Sequence, residues 1–376
     1  MKHIGKSYDK VDAKGILSGK PSYTGDFVPK DALIIKVLRS PHAQAKIKSI
    51  DTSKAKLIPG VEAIFTYEDV PNTRFTLAGQ TYPEPSAYDA LILDSVVRYV
   101  GDEVALVVAK DEATALKAMP LIKVEYEVQK PVLDLCTAMD HETVVHPEDD
   151  ILNHIPVGQD YKRNICVSYH KRVGDIEAEL AKCDYVVEGT YFDQATRQSA
   201  MEPFQSFGYI DHLGRIVIVS STQIVFHVRR HIARALGIPA SKIRVIKPRI
   251  GGGFGSKQTA CTELMTAFVT WKLQKPCYLL YDRTEAQTCS TTRHAREWYI
   301  RVGATKDGII QVIDMDSITD AGAHATHCFT TTTAGEHKSV PLYNKAKAVH
   351  YGTEGVYMNH TPGGAFRGYG ATEALW

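Results

Sequence analysis

Two glycine-rich stretches contain the residues of this sequence that are most able to bind a ligand. The first, "IGGGFGSKQ" (250–258), places one aromatic residue among four glycines. The second, "TPGGAFRGYG" (361–370), embeds Arg367 among glycines and aromatic residues. Glycine lets backbone N–H groups approach a ligand closely, and arginine offers a planar fork of donors to anionic oxygens. Both stretches therefore favour an anionic, oxygen-rich ligand.

The first stretch matches neither of the two familiar phosphate signatures. A P-loop has glycine directly before its lysine, whereas Ser256 separates Gly255 from Lys257. The dinucleotide fingerprint fails as well, because Ser256 stands where its last glycine belongs. The spacing alone leaves two interpretations open, an anion-binding loop or a tight turn between a strand and a helix.

The segments around the first stretch predict how the chain holds it. "RIVIVSS" (215–221) and "KIRVIKP" (242–248) are typical of buried strands, and "TQIVFHVRRHIARALG" between them has apolar residues at helical spacing. Ser221 or Thr222 is a candidate helix cap, and Gly237 is a stop signal. After the glycines, "TELMTAFVTWKLQK" predicts a second helix. The order is therefore strand, helix, strand, glycine loop, helix.

Residues 1–135 predict a separate mixed α and β domain. "ALIIKVLRS" and "VEAIFTYEDV" are typical of strands, and residues 97–127 predict strand, helix, strand, with Asp111 as the helix cap. Residues 136–165 combine weak periodicity with prolines and acidic residues, which indicates a linker. A second domain is then expected over residues 166–376.

The composition argues against several classes of protein. The 44 basic and 43 acidic residues give a formal net charge of +1, so nucleic acid and anionic membranes are not expected partners. The amino terminus has no apolar leader, and no run of about 18 apolar residues occurs, which predicts a cytoplasmic protein. Seven scattered cysteines without a C-x-x-C pair argue against a disulfide framework or a cysteine metal site.

Three short motifs, in order along the chain, resemble those of one known family. "STQ" (221–223), "GGGFGSK" (251–257) and "GGAFRGYG" (363–370) resemble the marks of the molybdenum-binding subunit of the xanthine dehydrogenase and aldehyde oxidoreductase family, the molybdenum hydroxylases. "VDAKGILSGKPSYTGDF", "LRSPHAQAKI" and "VRYVGDEVALVVA" resemble that subunit's amino-terminal domain. The resemblance implies a mixed α and β (α+β) fold, in which an α/β hammerhead-type domain precedes the first part of a molybdopterin-binding α/β domain.

The resemblance also implies two side chains in the molybdenum environment. In this family the dithiolene of a pterin holds the metal, so no direct side-chain ligand is expected. Gln223 would hydrogen-bond an oxygen on the metal, and Arg367 would stabilise negative charge beside it during catalysis. The simpler alternatives are a glutamine near a helix start and a surface arginine after a turn.

Backbone groups of the first stretch would complete the cofactor site that the resemblance implies. The N–H groups of Phe254 and Gly255 would lie near the oxo group of the metal. Gly252 and Gly253 would line the pterin, which in prokaryotic members is commonly a cytosine dinucleotide.

Three further residues are candidates for substrate contacts. Phe366 and Tyr369 would hold a planar substrate by stacking, or would pack in the core. Purine-hydroxylating members carry a carboxylate where this chain has Gln258, and an arginine near the position of Ala334. Both differences argue against a purine substrate.

The implied activity is that of an oxidoreductase that adds a water-derived oxygen to an aldehyde or N-heteroaromatic carbon. Electrons would pass to iron–sulfur clusters and FAD on partner chains. The family's general base is a glutamate far beyond the second stretch, so we expect activity to require a second half, from downstream sequence or from a separate chain. The alternative is a non-catalytic module that binds molybdopterin or a nucleotide phosphate.

Other polar clusters are expected to be structural. His227 and His231 have the i, i+4 spacing of zinc ligands but lack the HExxH glutamate, so a solvated basic helix face is the simpler interpretation. "HATHC" (324–328) and Glu202 are interpreted as packed structural groups.

Overall fold

The computed structural model describes residues 3–375, which form three β-sheets and nine α-helices. The strands are β1 (Leu33–Arg39), β2 (Ala45–Asp51), β3 (Val61–Phe65), β4 (Val96–Val97), β5 (Glu103–Ala109), β6 (Lys123–Val128), β7 (Ile165–Val173), β8 (Tyr185–Asp193), β9 (Gln205–Ile210), β10 (Ile216–Ser220), β11 (Ile243–Ile246), β12 (Cys277–Leu280), β13 (Arg296–Ala304), β14 (Ile310–Gly322) and β15 (Ala348–Tyr357). The helices are α1 (Ala13–Leu17), α2 (Ser53–Lys56), α3 (Glu112–Ala118), α4 (Ile176–Leu180), α5 (Val225–Leu236), α6 (Glu263–Leu273), α7 (Arg283–Thr288), α8 (Cys328–Ser339) and α9 (Ala371–Ala374). The mixed α and β fold class is confirmed.

The largest sheet has seven strands in the order β11-β10-β9-β12-β1-β5-β3. Strands β10 and β11 are parallel, with Ile216 opposite Ile243, as expected for a strand, helix, strand crossover. Strand β1 pairs in parallel with β12, so strands from both sides of residue 135 share this sheet. The domain boundaries at residues 135 and 165 stay predictions.

Helices α5 and α6 cover one face of this sheet. Val228 and Ile232 of α5 and Phe268 of α6 are fully buried, and they pack with Ile35 and Ile218 of the sheet. These helical residues are the ones that the sequence places at helical spacing. Burying a side chain of this size contributes about 1.5 to 3 kcal/mol, so the apolar faces fix both helices and the glycine stretch between them.

The helix ends agree with the sequence in two places and differ in one. Gly237 ends α5 in the left-handed region, with φ of 65°, and the Asp111 side chain caps α3 by accepting from the N–H of Thr114. The cap predicted for α5 is wrong, because its N-cap residue is Ile224, not Ser221 or Thr222. Those two residues lie in a loop that runs towards the first glycine stretch.

A five-stranded sheet, β7-β15-β14-β13-β8, holds the second glycine stretch. Strands β14 and β15 are parallel and the other neighbours are antiparallel. The second stretch begins soon after β15 ends at Tyr357, and α8 packs on the same sheet.

Residues 138–160 form neither a helix nor a named strand, but Val145 and Val157 are buried against Tyr357. The third sheet is β4-β2-β6.

No helix within residues 3–375 is long and apolar enough to cross a membrane. The seven cysteines are free thiols.

Candidate cofactor site

The first glycine stretch has a backbone that most residues would not adopt. Gly252 and Gly255 have φ values of 98° and 104°, which only glycine adopts readily. Phe254 has φ of 50°, uncommon for an aromatic residue, and its side chain is 49% exposed. Strained backbone of this kind is frequent at ligand sites.

Three consecutive backbone donors of this stretch have no protein acceptor. Among the described residues, no hydrogen bond uses the N–H groups of Gly252, Gly253 or Phe254. The adjacent Gly251 N–H, by contrast, donates to the Glu202 carboxylate at 2.6 Å. A row of free N–H groups on partly exposed, glycine-rich backbone is the kind of arrangement that binds anionic oxygens.

Lys257 does not take part in such a site. Its side chain is only 2% exposed, and Nζ donates to Oε2 of Glu202 at 2.9 Å. Burial lowers the pKa of Lys257, and the Glu202 carboxylate opposes that shift. Glu202 therefore fixes the glycine stretch from below through Gly251 and Lys257, in agreement with its interpretation as a packed, hydrogen-bonded carboxylate.

Gln223 lies three residues beyond the end of β10 and contacts the first stretch directly. Its backbone N–H donates to the carbonyl of Lys257 at 2.8 Å, which explains why residues 221–223 do not cap α5. Its side-chain Oε1 accepts from the N–H of Gly255 at 3.2 Å. A Cβ on Gly253 would lie 2.6 Å from the same oxygen, so a side chain at position 253 would displace the end of the Gln223 side chain.

The two glycine stretches meet in space. The N–H of Arg367 donates to the carbonyl of Phe254 at 2.8 Å, and a Cβ on Gly255 would lie 2.6 Å from the carbonyl oxygen of Ala365. The Arg367 side chain is exposed and forms no ion pair or hydrogen bond with residues 3–375. The structure thus brings Gln223, Phe254 and the backbone of Arg367 together, and leaves the Arg367 guanidinium without a partner among residues 3–375.

Arg293 contacts the second stretch, although no motif or spacing in the sequence indicates this role. Its guanidinium donates to the carbonyl of Arg367 at 2.6 Å, lies 4.3 Å from the ring centre of Phe366, and pairs with Glu373 at 3.0 Å. One face of the half-buried Phe366 ring is therefore already occupied by a protein cation. The other predicted contacts, Gln258 and Tyr369, lie on a separate hydrogen-bond network.

That network centres on His327, which the sequence assigned to a structural cluster. His327 is fully buried, its Nε2 lies 3.1 Å from the carbonyl of Gln258, and its Nδ1 lies 3.0 Å from the Tyr369 hydroxyl. Burial raises the pKa of Tyr369 to about 12. Gln80, from the amino-terminal region, donates to Oε1 of Gln258 at 3.0 Å. Neither His327 nor Gln80 has a sequence signal that would have placed it here.

Three further histidines, His324, His227 and His231, lie close to buried carboxylates. Nδ1 of His324 lies 3.2 Å from the Asp89 carboxylate, and the pKa of His324 is raised by that carboxylate against the opposing effect of burial. Oε1 of Glu84 lies 3.5 Å from Nδ1 of His227 and 3.7 Å from Nε2 of His231. The expected solvated face is wrong for His231, which is 3% exposed, because the segment containing Glu84 covers it.

Comparison with known proteins decides the family. The model of the molybdopterin cofactor-binding domain matches residues 157–376, and the hammerhead-domain model of aldehyde oxidase and xanthine dehydrogenase matches residues 18–130. The chain belongs to the xanthine dehydrogenase and aldehyde oxidoreductase family of molybdopterin-binding subunits. The two matches follow the chain order of the motifs in the sequence.

Members of this family are similar over almost the whole chain. A protein named probable hypoxanthine oxidase XdhD, from Escherichia coli K12, is 38% identical, and the match covers 98% of this chain and 41% of that protein. The nicotinate dehydrogenase large molybdopterin subunit of Eubacterium barkeri is 31% identical, and the match covers 99% of this chain and 83% of that protein. This chain therefore spans about two fifths of the first family member and most of the second.

Solved structures of the family share the fold. Aldehyde oxidoreductase from Desulfovibrio gigas superposes with a TM-score of 0.88 at 25% identity, over 99% of this chain and 40% of that one. CO dehydrogenase from Oligotropha carboxidovorans superposes with a TM-score of 0.84 at 28% identity, and the match covers 99% of this chain and 47% of that one. One similar family member is named for hypoxanthine, which is a purine. The exclusion of purine substrates on the basis of Gln258 and Ala334 therefore stays a prediction.

Proposed function

We propose that the two glycine stretches hold a molybdenum-pterin cofactor, and that this chain is the cofactor-binding part of an oxidoreductase. One observation carries the proposal. Three free backbone N–H groups, at Gly252, Gly253 and Phe254, belong to a stretch whose Phe254 carbonyl accepts from the backbone N–H of Arg367, and the Arg367 guanidinium is exposed and unpaired within residues 3–375. Such a set of donors suits the oxygens of a metal centre and the phosphates of a pterin dinucleotide.

The described residues fit this cofactor in particular ways. Glycines at 252 and 253 leave room for the pterin against bare backbone. The N–H of Phe254 is free, whereas the N–H of Gly255 already donates to Gln223. Because that bond occupies Oε1, Gln223 would direct its amide nitrogen, which has no acceptor within residues 3–375, to an oxygen on the metal. No cysteine or histidine is required as a metal ligand.

The chain's own contribution to the reaction would be orientation and fixed charge. When bound, the cofactor supplies the redox centre at which a water-derived oxygen is added to an aldehyde or N-heteroaromatic carbon. Arg367 would stabilise negative charge that develops there, since its charge has no other partner in the described chain. Arg293 would hold the Arg367 backbone and the Phe366 ring in place. Gln258, Phe366 and Tyr369 are the proposed substrate contacts.

The proposal includes components that this chain does not contain. The cofactor would be the cytosine dinucleotide form, and electrons would pass to iron–sulfur clusters and then FAD on partner chains. The second half of the molybdenum subunit would supply the general base, either from downstream sequence or from a separate chain. The similarity to much longer family members supports this requirement. The cytoplasm is the proposed location.

An isotope experiment tests the reaction. The protein, purified together with its native partners, is incubated with benzaldehyde or quinoline in water enriched in ¹⁸O, and the product is examined by mass spectrometry. The proposal predicts ¹⁸O in the product. Incorporation from dioxygen contradicts the proposed reaction. Molybdenum-containing protein that oxidises neither compound, nor any related aldehyde or heterocycle, favours the non-catalytic cofactor-binding module.

A further inference from the structure

His327 is a buried histidine that connects three distant parts of the chain. It is fully buried at the amino-terminal end of α8. Its Nε2 contacts the carbonyl of Gln258 at 3.1 Å, and its Nδ1 contacts the amide nitrogen of Gln80 at 3.2 Å and the hydroxyl of Tyr369 at 3.0 Å. The Tyr369 hydroxyl also contacts Oγ1 of Thr330.

These contacts determine where the proton of His327 lies. A carbonyl oxygen only accepts hydrogen bonds, so Nε2 must carry the proton that is donated to Gln258. Burial lowers the pKa of His327 to about 4, so the ring is neutral at pH 7 and has a single proton. Nδ1 is therefore an acceptor, and it requires a donor on each contacting group.

The acceptor at Nδ1 fixes the orientation of two side-chain amides. Gln80 must present its nitrogen, not its oxygen, to His327, and the same nitrogen donates to Oε1 of Gln258 at 3.0 Å. The oxygen of Gln258 thus faces Gln80, and the Gln258 amide nitrogen has no acceptor within residues 3–375. Gln258 is only half-buried, so its two N–H donors are available to a ligand.

We propose that His327 is a positioning residue that makes Gln258 a hydrogen-bond donor to the substrate. The favoured substrates then carry an acceptor, such as a ring nitrogen or a carbonyl oxygen, that reaches Gln258. A carboxylate at position 258 would have the opposite preference, because it can only accept. The inference rests on the proposed function of the two glycine stretches. It adds that the substrate side of that site presents a hydrogen-bond donor.

Nuclear magnetic resonance tests the proton arrangement without any catalysis. In the complete protein with ¹⁵N-labelled histidine, the signals of residue 327 are assigned by their loss in His327→Phe. We expect the neutral ring with its proton on Nε2 at pH 7. A proton on Nδ1, or a doubly protonated ring at that pH, would overturn the inference, since Gln80 would then have no acceptor to orient it.

Two variants separate orientation from general packing. His327→Phe keeps a ring but removes both nitrogens, whereas His327→Asn can place an amide oxygen near the position of Nδ1 and so still accept from Gln80. The side-chain NH₂ signal of Gln258 should therefore move in His327→Phe and stay close to its original position in His327→Asn. Equal movement in both variants contradicts the inference, whether or not the enzyme is active.

Kinetics of the complete enzyme with benzaldehyde and quinoline test the effect on substrate. His327→Phe should raise KM about 5- to 10-fold and leave kcat within about 2-fold, the effect of losing one oriented hydrogen bond. His327→Asn should restore most of KM. Gln258→Leu should raise KM by a similar factor, and the double variant His327→Phe/Gln258→Leu should add little.

Independent effects in the double variant, or a loss of kcat alone, would overturn the positioning role. If the protein contains no molybdenum and oxidises neither compound, the proposed function fails, while the resonance measurements still decide the arrangement at His327.

Discussion

The backbone N–H of Arg367 donates to the carbonyl of Phe254 at 2.8 Å, and this hydrogen bond joins the two glycine stretches. The contact is possible because Gly255, next to Phe254, has no side chain to collide with Ala365. As a result, the residue that carries an exposed, unpaired guanidinium is held next to the stretch with the three free N–H groups. The cofactor site proposed for this chain depends on that juxtaposition.

Gly253→Ala should reduce the molybdenum content of the purified complex. The added Cβ would lie 2.6 Å from Oε1 of Gln223, so this side chain must leave its position over the stretch. We expect molybdenum per chain to fall at least several-fold, as measured by mass spectrometry of the metal. Gly15→Ala is the matched control, since its nearest contact would be an ordinary 3.8 Å. Equal molybdenum content in both variants would show that Gln223 and Gly253 are not part of the cofactor site.

Lys257→Met should destabilise the protein by about 3 to 5 kcal/mol, because Glu202 is left as a buried charge without its cation. Thermal unfolding of the single variant and of Lys257→Met/Glu202→Gln tests this, and the double variant should recover most of the loss. Its phosphorus content should also match the original protein. A loss of phosphorus in the double variant would show that Lys257 binds the cofactor phosphate after all.

Arg293→Lys should lower turnover by about 10-fold, because lysine cannot both stack on Phe366 and donate to the Arg367 carbonyl. Steady-state rates of the complete enzyme measure the change. Arg229→Lys serves as the control, since Arg229 donates to the carbonyl of Ala240, which lies beyond the end of α5. If both variants behave alike, Arg293 has no particular role at the second stretch.

His360, just before the second glycine stretch, should stabilise the fold in a pH-dependent way. Its hydrogen bond of 2.7 Å to Asp320 raises the pKa of His360, and burial opposes the shift. The stabilisation is fully present below about pH 6.5, the value of an unfolded histidine, and is lost as pH rises through the higher folded pKa. Because His360 is partly exposed, we expect less than about 1 kcal/mol.

Melting temperatures of the original protein and His360→Gln, measured from pH 5.5 to 9, should converge at the alkaline end. In Asp320→Asn, the pKa of His360 measured by nuclear magnetic resonance should fall to about 6.5 or below, because burial still opposes protonation. A difference in melting temperature that grows with pH would contradict the assignment of this pair.

Local patterns were sufficient to predict the elements that carry the first stretch. The apolar residues of α5 and α6 recur at helical spacing, and Gly237 and Asp111 act at helix ends as their types suggest. The N-cap of α5 was mistaken because a contact with Lys257, which is distant in sequence, holds residues 221–223 in a loop. Helix-capping preferences reflect only the residues near the helix end in sequence, so they do not include such contacts.

The polar network of the site could not be read from spacing. Gln80 and Gln258 are 178 positions apart, and Gln80 and His327 are 247 apart. Their hydrogen bonds arise only when the amino-terminal region packs over the glycine stretch. Arg293 likewise reaches Arg367 across 74 positions. The resemblance of the motifs indicated which backbone would hold a cofactor, whereas these neighbours belong to the folded arrangement of this particular chain.

The most direct test of the proposed cofactor site is elemental analysis of the protein purified with its native partners. The two-stretch cofactor site predicts about one molybdenum atom per chain, and two phosphorus atoms for each metal if the pterin is a dinucleotide. A parallel preparation of Arg367→Ala should keep most of the metal and lose turnover. Absence of both molybdenum and phosphorus from the complete, folded complex would contradict the central claim.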